Sequence, residues 1–155
     1  PLAKLEILQT FFHHYLPFII MIGALYIISG GIQIEVQSPA TPRINTLLLS
    51  IGTFLAGWIG TTGAAMLFIR PLLHINRERK HRVHHMVFFI FLVANIGGAL
   101  TPLGDPPLFI GFLNGVSFFW SLKHLGVAMV AMALPLLALF YGLDRYYVFK
   151  VSFGK

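Results

Sequence analysis

Cysteine is absent from all 155 residues, which excludes disulfides, thiolate metal sites and cysteine nucleophiles. Charge is nearly as scarce. Charged residues make up 10% of the chain and hydrophobic residues 57%, whereas an average soluble domain is about 25% charged. So few charges cannot cover a water-facing surface. Acid is scarcer than base, with 5 Asp and Glu against 11 Lys and Arg and a formal net charge of +6. The basic excess does not form a stripe with interleaved aromatics, so nucleic acid is not an expected partner. It gathers instead between Arg70 and Arg82, flanked by apolar runs.

What the chain does have is long charge-free runs. No Asp, Glu, Lys or Arg lies between Glu6 and Glu35, Arg43 and Arg70, Arg82 and Asp105, or Lys123 and Asp144. Each run is near or above the roughly 18–20 residues that span a hydrocarbon core. The expected fold class is an all-α membrane protein in contact with a lipid bilayer. Residues 11–31 read as a spanning helix that ends at Gly30-Gly31, followed by a polar connector carrying Pro39 and Pro42. Residues 125–142 read as another span, with Pro135 as an expected kink and Trp120, Tyr141, Tyr146 and Tyr147 as interfacial anchors.

The two middle segments are not plain spans. Residues 44–70 carry Trp58-Ile59-Gly60-Thr61-Thr62-Gly63 at their centre. They fit either one crossing helix or a re-entrant helical hairpin with a Gly/Thr tip. Exposed backbone at membrane depth is tolerated only where it lines a protein-covered or watery cavity, so a hairpin would mark a site. Residues 86–115 read as a broken helix: an apolar half from Met86 to Ala94, an unwound stretch, and a second half from Leu108. Gly97-Gly98 suit a left-handed helix C-terminus, and Asp105-Pro106-Pro107 suit an N-cap and first turn.

Asp105 reads as the intramembrane carboxylate of the chain, and such a group is a functional candidate because its burial in lipid is expensive. A helix cap near an interface is the plainer alternative. Asn95, Gly97, Gly98 and Thr101 offer an amide, bare carbonyls and a hydroxyl, the oxygen ligands that suit a hard cation such as Na⁺; a glycine kink for packing fits them equally. Thr61 and Thr62 are weaker ligand candidates on spacing alone. Gly111 and Gly115 fit small-residue helix packing.

His81, His84 and His85 match the HxxHH box of membrane di-iron oxidoreductases. Such sites need further imidazoles, and only His74, His124 and the distant His13-His14 pair remain. A solvated basic loop is therefore expected, with no enzymatic role and no cofactor.

The stretch Asn95-Ile96-Gly97-Gly98…Gly104-Asp105-Pro106-Pro107 resembles the "NIGG…GDPP" signature of the ion-transporter superfamily, and residues 58–71 resemble its first hairpin tip. The likeness is to the NhaD-type sodium:proton antiporter and citrate-transporter branch. It implies two inverted repeats, each with a hairpin and a broken helix, in a homodimer working by an elevator-type mechanism. This chain would supply the first repeat, with a missing second repeat as its partner. It implies that Thr61, Thr62, Asn95, Gly97 and Gly98 lie around a sodium site, with Na⁺ itself at Thr61, Asn95 and Gly97 and Asp105 nearby. Leu108 stands where many relatives have Asn, which weighs against an organic-acid substrate. Na⁺/H⁺ antiport is thus the first expectation, with Na⁺ and H⁺ the moving ions, and coupled citrate uptake the second.

Orientation follows from Lys and Arg. With the 70–85 loop cytoplasmic, the inside holds 9 of the 11 basic residues, as the positive-inside rule asks of an inner-membrane protein. The count is the same for hairpin and plain span.

Overall fold

The computed structural model describes residues 2–31 and 39–153, and all regular structure among them is helical. Helix α1 (Leu2–Thr10) passes through a π-helical turn (Phe11–Tyr15) into α2 (Leu16–Gly31). The helical path thus starts well before Phe11, the expected boundary.

Helix α3 (Pro42–Ile59) begins where its sequence signals lie. Thr41 accepts the Ile44 N–H at 3.3 Å and Pro42 occupies the first turn. Asn45, Leu48, Leu49, Gly52, Thr53 and Ala56 are buried, the three-and-four spacing of a single helical face. Gly60 ends the helix at φ 82° and ψ 148°, a conformation that side chains on Cβ disfavour. Helix α4 (Thr61–Ile75) then folds back along α3. The Asn45 amide donates to Asn76 Oδ1 at 3.0 Å, and the Asn76 amide donates to Asn45 Oδ1 at 2.8 Å. This reciprocal pair holds the start of α3 beside the end of α4, which only an antiparallel pair allows. Residues 44–70 therefore contain a turn at Gly60 rather than one straight helix.

Helix α5 (Val83–Leu92) is followed by a turn, a 3₁₀ helix (Ile96–Leu100), an irregular stretch and α6 (Pro106–Leu113). Gly97 and Gly98 lie inside the 3₁₀ helix, and neither has positive φ. They do not form the left-handed terminus expected of them; close packing is what demands glycine there, as shown below. Helix α7 (Trp120–Phe153) is longer at both ends than 125–142 and carries Pro135 without interruption.

The core joins Leu48, Leu49 and Ala56 of α3, Ala64, Leu67, Phe68 and Leu72 of α4, Phe88, Phe89 and Leu92 of α5, and Ala133 and Phe140 of α7. Alanines and glycines near Gly60 let the backbones approach, the usual solution where lipid removes the hydrophobic drive between helices. Hydroxyls on these faces bond backward to their own helix: Thr46 to the Pro42 carbonyl, Ser50 to Thr46 and Thr53 to Leu49, at 2.8, 2.8 and 2.6 Å. Segments Val83–Leu100 and Trp120–Lys150 are long and apolar enough to cross a membrane. Large apolar side chains such as Phe54, Ile90, Val127 and Met132 face outward, as lipid contact permits.

Candidate functional site

The α3–α4 turn meets the irregular stretch before α6. The Thr61 N–H donates to the Gly104 carbonyl at 3.1 Å, and the Thr101 hydroxyl, fully buried, donates to the Gly57 carbonyl. Leu103 N–H in turn donates to the Thr101 hydroxyl at 3.2 Å. The approach is close enough to require glycine. A Cβ on Gly98 would lie 2.7 Å from Thr61 Cγ2 and 3.0 Å from the Gly104 oxygen.

Between these segments lies a cavity of about 40 Å³, lined by Gly60, Thr61, Thr62 and Gly63 from the turn and by Pro102 to Pro106 from the stretch. Met21 and Ile22 of α2 and Phe109 of α6 close its apolar side. The volume suits a few waters or a single small polar group.

The expected site residues divide accordingly. Thr61, Thr62 and Asp105 line this cavity. Gly98 and Thr101 stand behind it as packing and hydrogen-bonding supports. Gly97 faces α3, where its carbonyl lies against Gly57 and a Cβ would meet Ala56 Cβ at 2.8 Å. Asn95 is exposed and donates its amide to the Ile90 carbonyl at 2.7 Å, so it seals the end of α5. Asn95 and Gly97 are not among the residues that line the cavity with Thr61.

Asp105 holds the N-cap position of α6 through its backbone, whose carbonyl accepts from Leu108 and Phe109 N–H at 3.1 and 3.2 Å. Its side chain makes no capping bond. The expected cap role of the carboxylate is absent: Pro106 and Pro107 have no N–H to offer it, and the Leu108 N–H donates to the Asp105 backbone carbonyl instead. The carboxylate is left at the cavity mouth, at the positive end of a helix dipole.

A second polar centre was not anticipated at the other end of the α3–α4 pair. Asp144 of α7 is fully buried, and Asn45, Asn76 and His85 are buried beside it. Asp144 Oδ1 accepts from Arg79 Nη1, and lies 3.0 Å from His84 Nε2 and 3.3 Å from His85 Nε2. Asp144 Oδ2 accepts from the Asn45 amide at 3.0 Å. Arg79 also donates to the Ala40 carbonyl through Nη2. The expectation of a wholly solvated histidine loop is corrected here. His81 is exposed, stacked 5.1 Å from the Tyr147 ring, but His84 is half-buried and His85 is buried. Among the described residues Asp144 is a buried carboxylate, and Asp105 is exposed. The signal available in the sequence was the spacing of His84-His85 and Asp144 at the ends of adjacent apolar runs. Although the two Nε2 atoms and the carboxylate oxygen lie within 4.8 Å of one another, the Arg79 guanidinium already occupies the carboxylate. The arrangement is an ion-pair and hydrogen-bond network, not an open coordination sphere.

The family described as "Putative citrate transport" matches residues 1–154. No curated protein and no solved structure matches the chain.

Proposed function

The chain belongs to the "Putative citrate transport" family, and from that premise we propose that it forms part of a cation-coupled secondary transporter that takes citrate or a similar carboxylate. The supporting observation is the Thr61–Gly104 contact, which brings the N-termini of α4 and α6 to one cavity. First-turn amides lack carbonyl partners within their own helix, and the helix dipole places partial positive charge there. Broken-helix transporters build anion sites in this way. In α6 the prolines leave only the dipole, so the donors for a substrate carboxylate are Thr62 and Gly63 amides of α4 and the threonine hydroxyls. The cavity holds one carboxyl group rather than a whole tricarboxylate; an inverted second repeat would complete it, in a homodimer.

Na⁺/H⁺ antiport is the second reading, and it rests on the uncapped carboxylate of Asp105 at the cavity mouth. In either reading Asp105 takes the coupling cation. Uptake of labelled citrate into vesicles carrying the complete protein, under imposed Na⁺ or H⁺ gradients, tests the first reading. Proton flux driven by Na⁺ without citrate, with no citrate uptake, would replace it with the second. Asp105→Asn and Asp105→Ala should both insert and fold, because neither removes a cap bond. Both should remove most of the coupled uptake, since an intramembrane ionisable residue is retained for function. Wild-type uptake in both variants would exclude Asp105 from the site.

In the bilayer the α3–α4 pair would enter and leave on one side, with the 70–85 loop in the cytoplasm. Arg43 and His74 are both exposed at the open end of the pair. Cysteines placed at the two positions should label from the cytoplasmic side alone. Labelling from opposite sides would make residues 44–70 a crossing and remove the re-entrant arrangement.

A further inference from the structure

We propose that the buried network at the open end of the α3–α4 pair is a proton-operated clasp, with His85 as the group that takes the proton and release of α3 and α4 from α7 as the result. The inference rests on the transport reading only for its use; its test is structural. The clasp ties together segments far apart in the chain. Asn45 opens α3, Asn76 follows α4, Arg79 lies in the next loop, His84 and His85 open α5, and Asp144 belongs to α7. The other end of the same helix pair lines the cavity, so whatever frees this end also frees the cavity wall to move.

Hydrogen counting identifies the proton's place. The Asn45 amide has two hydrogens but lies 3.0 Å from three acceptor atoms: Asn76 Oδ1, Asp144 Oδ2 and His85 Nε2. The reciprocal Asn45–Asn76 pair takes one hydrogen. If the other went to His85 Nε2, the His85 ring would carry its hydrogen on Nδ1, a buried donor with no acceptor. If it goes to Asp144 Oδ2, His85 donates from Nε2 to Asp144 Oδ1, and Nδ1 keeps a bare lone pair. The second arrangement satisfies one more buried donor and is the favoured one. His85 Nδ1 is the buried side-chain nitrogen or oxygen without a partner among the described residues.

A proton added at Nδ1 makes an imidazolium whose new N–H has no acceptor in the closed clasp. The groups facing it are Arg79, already positive, the His84 ring 4.0 Å away and the single carboxylate of Asp144. Tyr147 covers the outer face of His84 at 5.0 Å. One carboxylate then serves two full charges, and a buried donor is orphaned. The proton is held better once the helix base parts and water reaches His85. A ligand that binds one conformation better shifts the protein toward it, so acid opens the clasp and neutral His85 closes it.

Spin labels at Arg43→Cys on α3 and Arg145→Cys on α7, both exposed, read this motion in the complete protein by pulsed electron resonance. From about pH 8 to about pH 5, the interval in which histidine changes charge, the longer-distance population should rise about threefold or more. His85→Gln retains a donor for Asp144 but cannot titrate, and should abolish the response; His84→Gln should keep it. Nitrogen-15 spectra of the labelled wild type should show His85 Nδ1 gaining its proton over the same interval. This last measurement needs no variant to fold. A wild-type distance that ignores pH, an equal response in His85→Gln, or a distance change without Nδ1 protonation would each overturn the clasp. Since no readout requires citrate, loss of the substrate reading leaves this result standing, and the converse also holds.

Discussion

Asp144→Ala should destabilise the purified protein by about 3–5 kcal/mol, the range for removing one partner of a buried ion pair. The loss has two sources. Arg79, only 15% exposed, would keep its charge without a carboxylate. The Asn45 amide and the Nε2 hydrogens of His84 and His85 would lose their shared acceptor as well. Detergent-solubilised protein followed by thermal or denaturant unfolding checks the size of the effect. Combining Asp144→Asn with Arg79→Gln should recover much of the loss, because no charge is then left unpaired. The exposed Arg77–Glu78 pair, 3.7 Å apart, supplies the contrast: Glu78→Gln should change stability negligibly. An Asp144→Ala protein as stable as the parent would mean that the buried network is not formed in the membrane.

Gly98→Ala should disturb the packing that holds the cavity together. The added Cβ would stand 2.7 Å from Thr61 Cγ2 and 3.0 Å from the Gly104 oxygen, both held by the Thr61–Gly104 hydrogen bond. Something must move, and overpacking of this kind costs about 1–3 kcal/mol. The movement separates the α4 N-terminus from the stretch before α6, which is the geometry that carries the proposed substrate site. Uptake should fall roughly tenfold or more, with insertion retained. Gly142→Ala is the control, because a Cβ there meets nothing within 4 Å. Similar losses in both variants would point to general destabilisation rather than to the cavity.

Helix boundaries in the middle of the chain carry local chemistry, although the sequence alone fits both a crossing helix and a hairpin over residues 44–70. Thr41-Pro42 opens α3, Gly60 divides α3 from α4, and Pro106-Pro107 opens α6. These are local signals, set by which residues lack an N–H, accept a cap bond or tolerate positive φ. The approach of Thr61 and Thr62 to Asp105 was legible only through the resemblance of both segments to one family. Asn95 stands outside the cavity lining, where its amide donates to the Ile90 carbonyl.

By itself, the sequence determined that the chain is helical, apolar and transporter-like. Its charge-free runs, glycine-proline punctuation and NIGG…GDPP stretch are properties of neighbours in the chain. Tertiary structure alone decided which polar groups are buried together. Asn45 and Asp144 are distant in sequence yet share a 3.0 Å hydrogen bond, and no local pattern announces a contact made by folding α3 and α4 back against α5 and α7. It also decided that Asp105 faces the cavity mouth while Asp144 is enclosed. Burial of a charge is a property of everything packed around it, and the residues beside it in sequence do not reveal it.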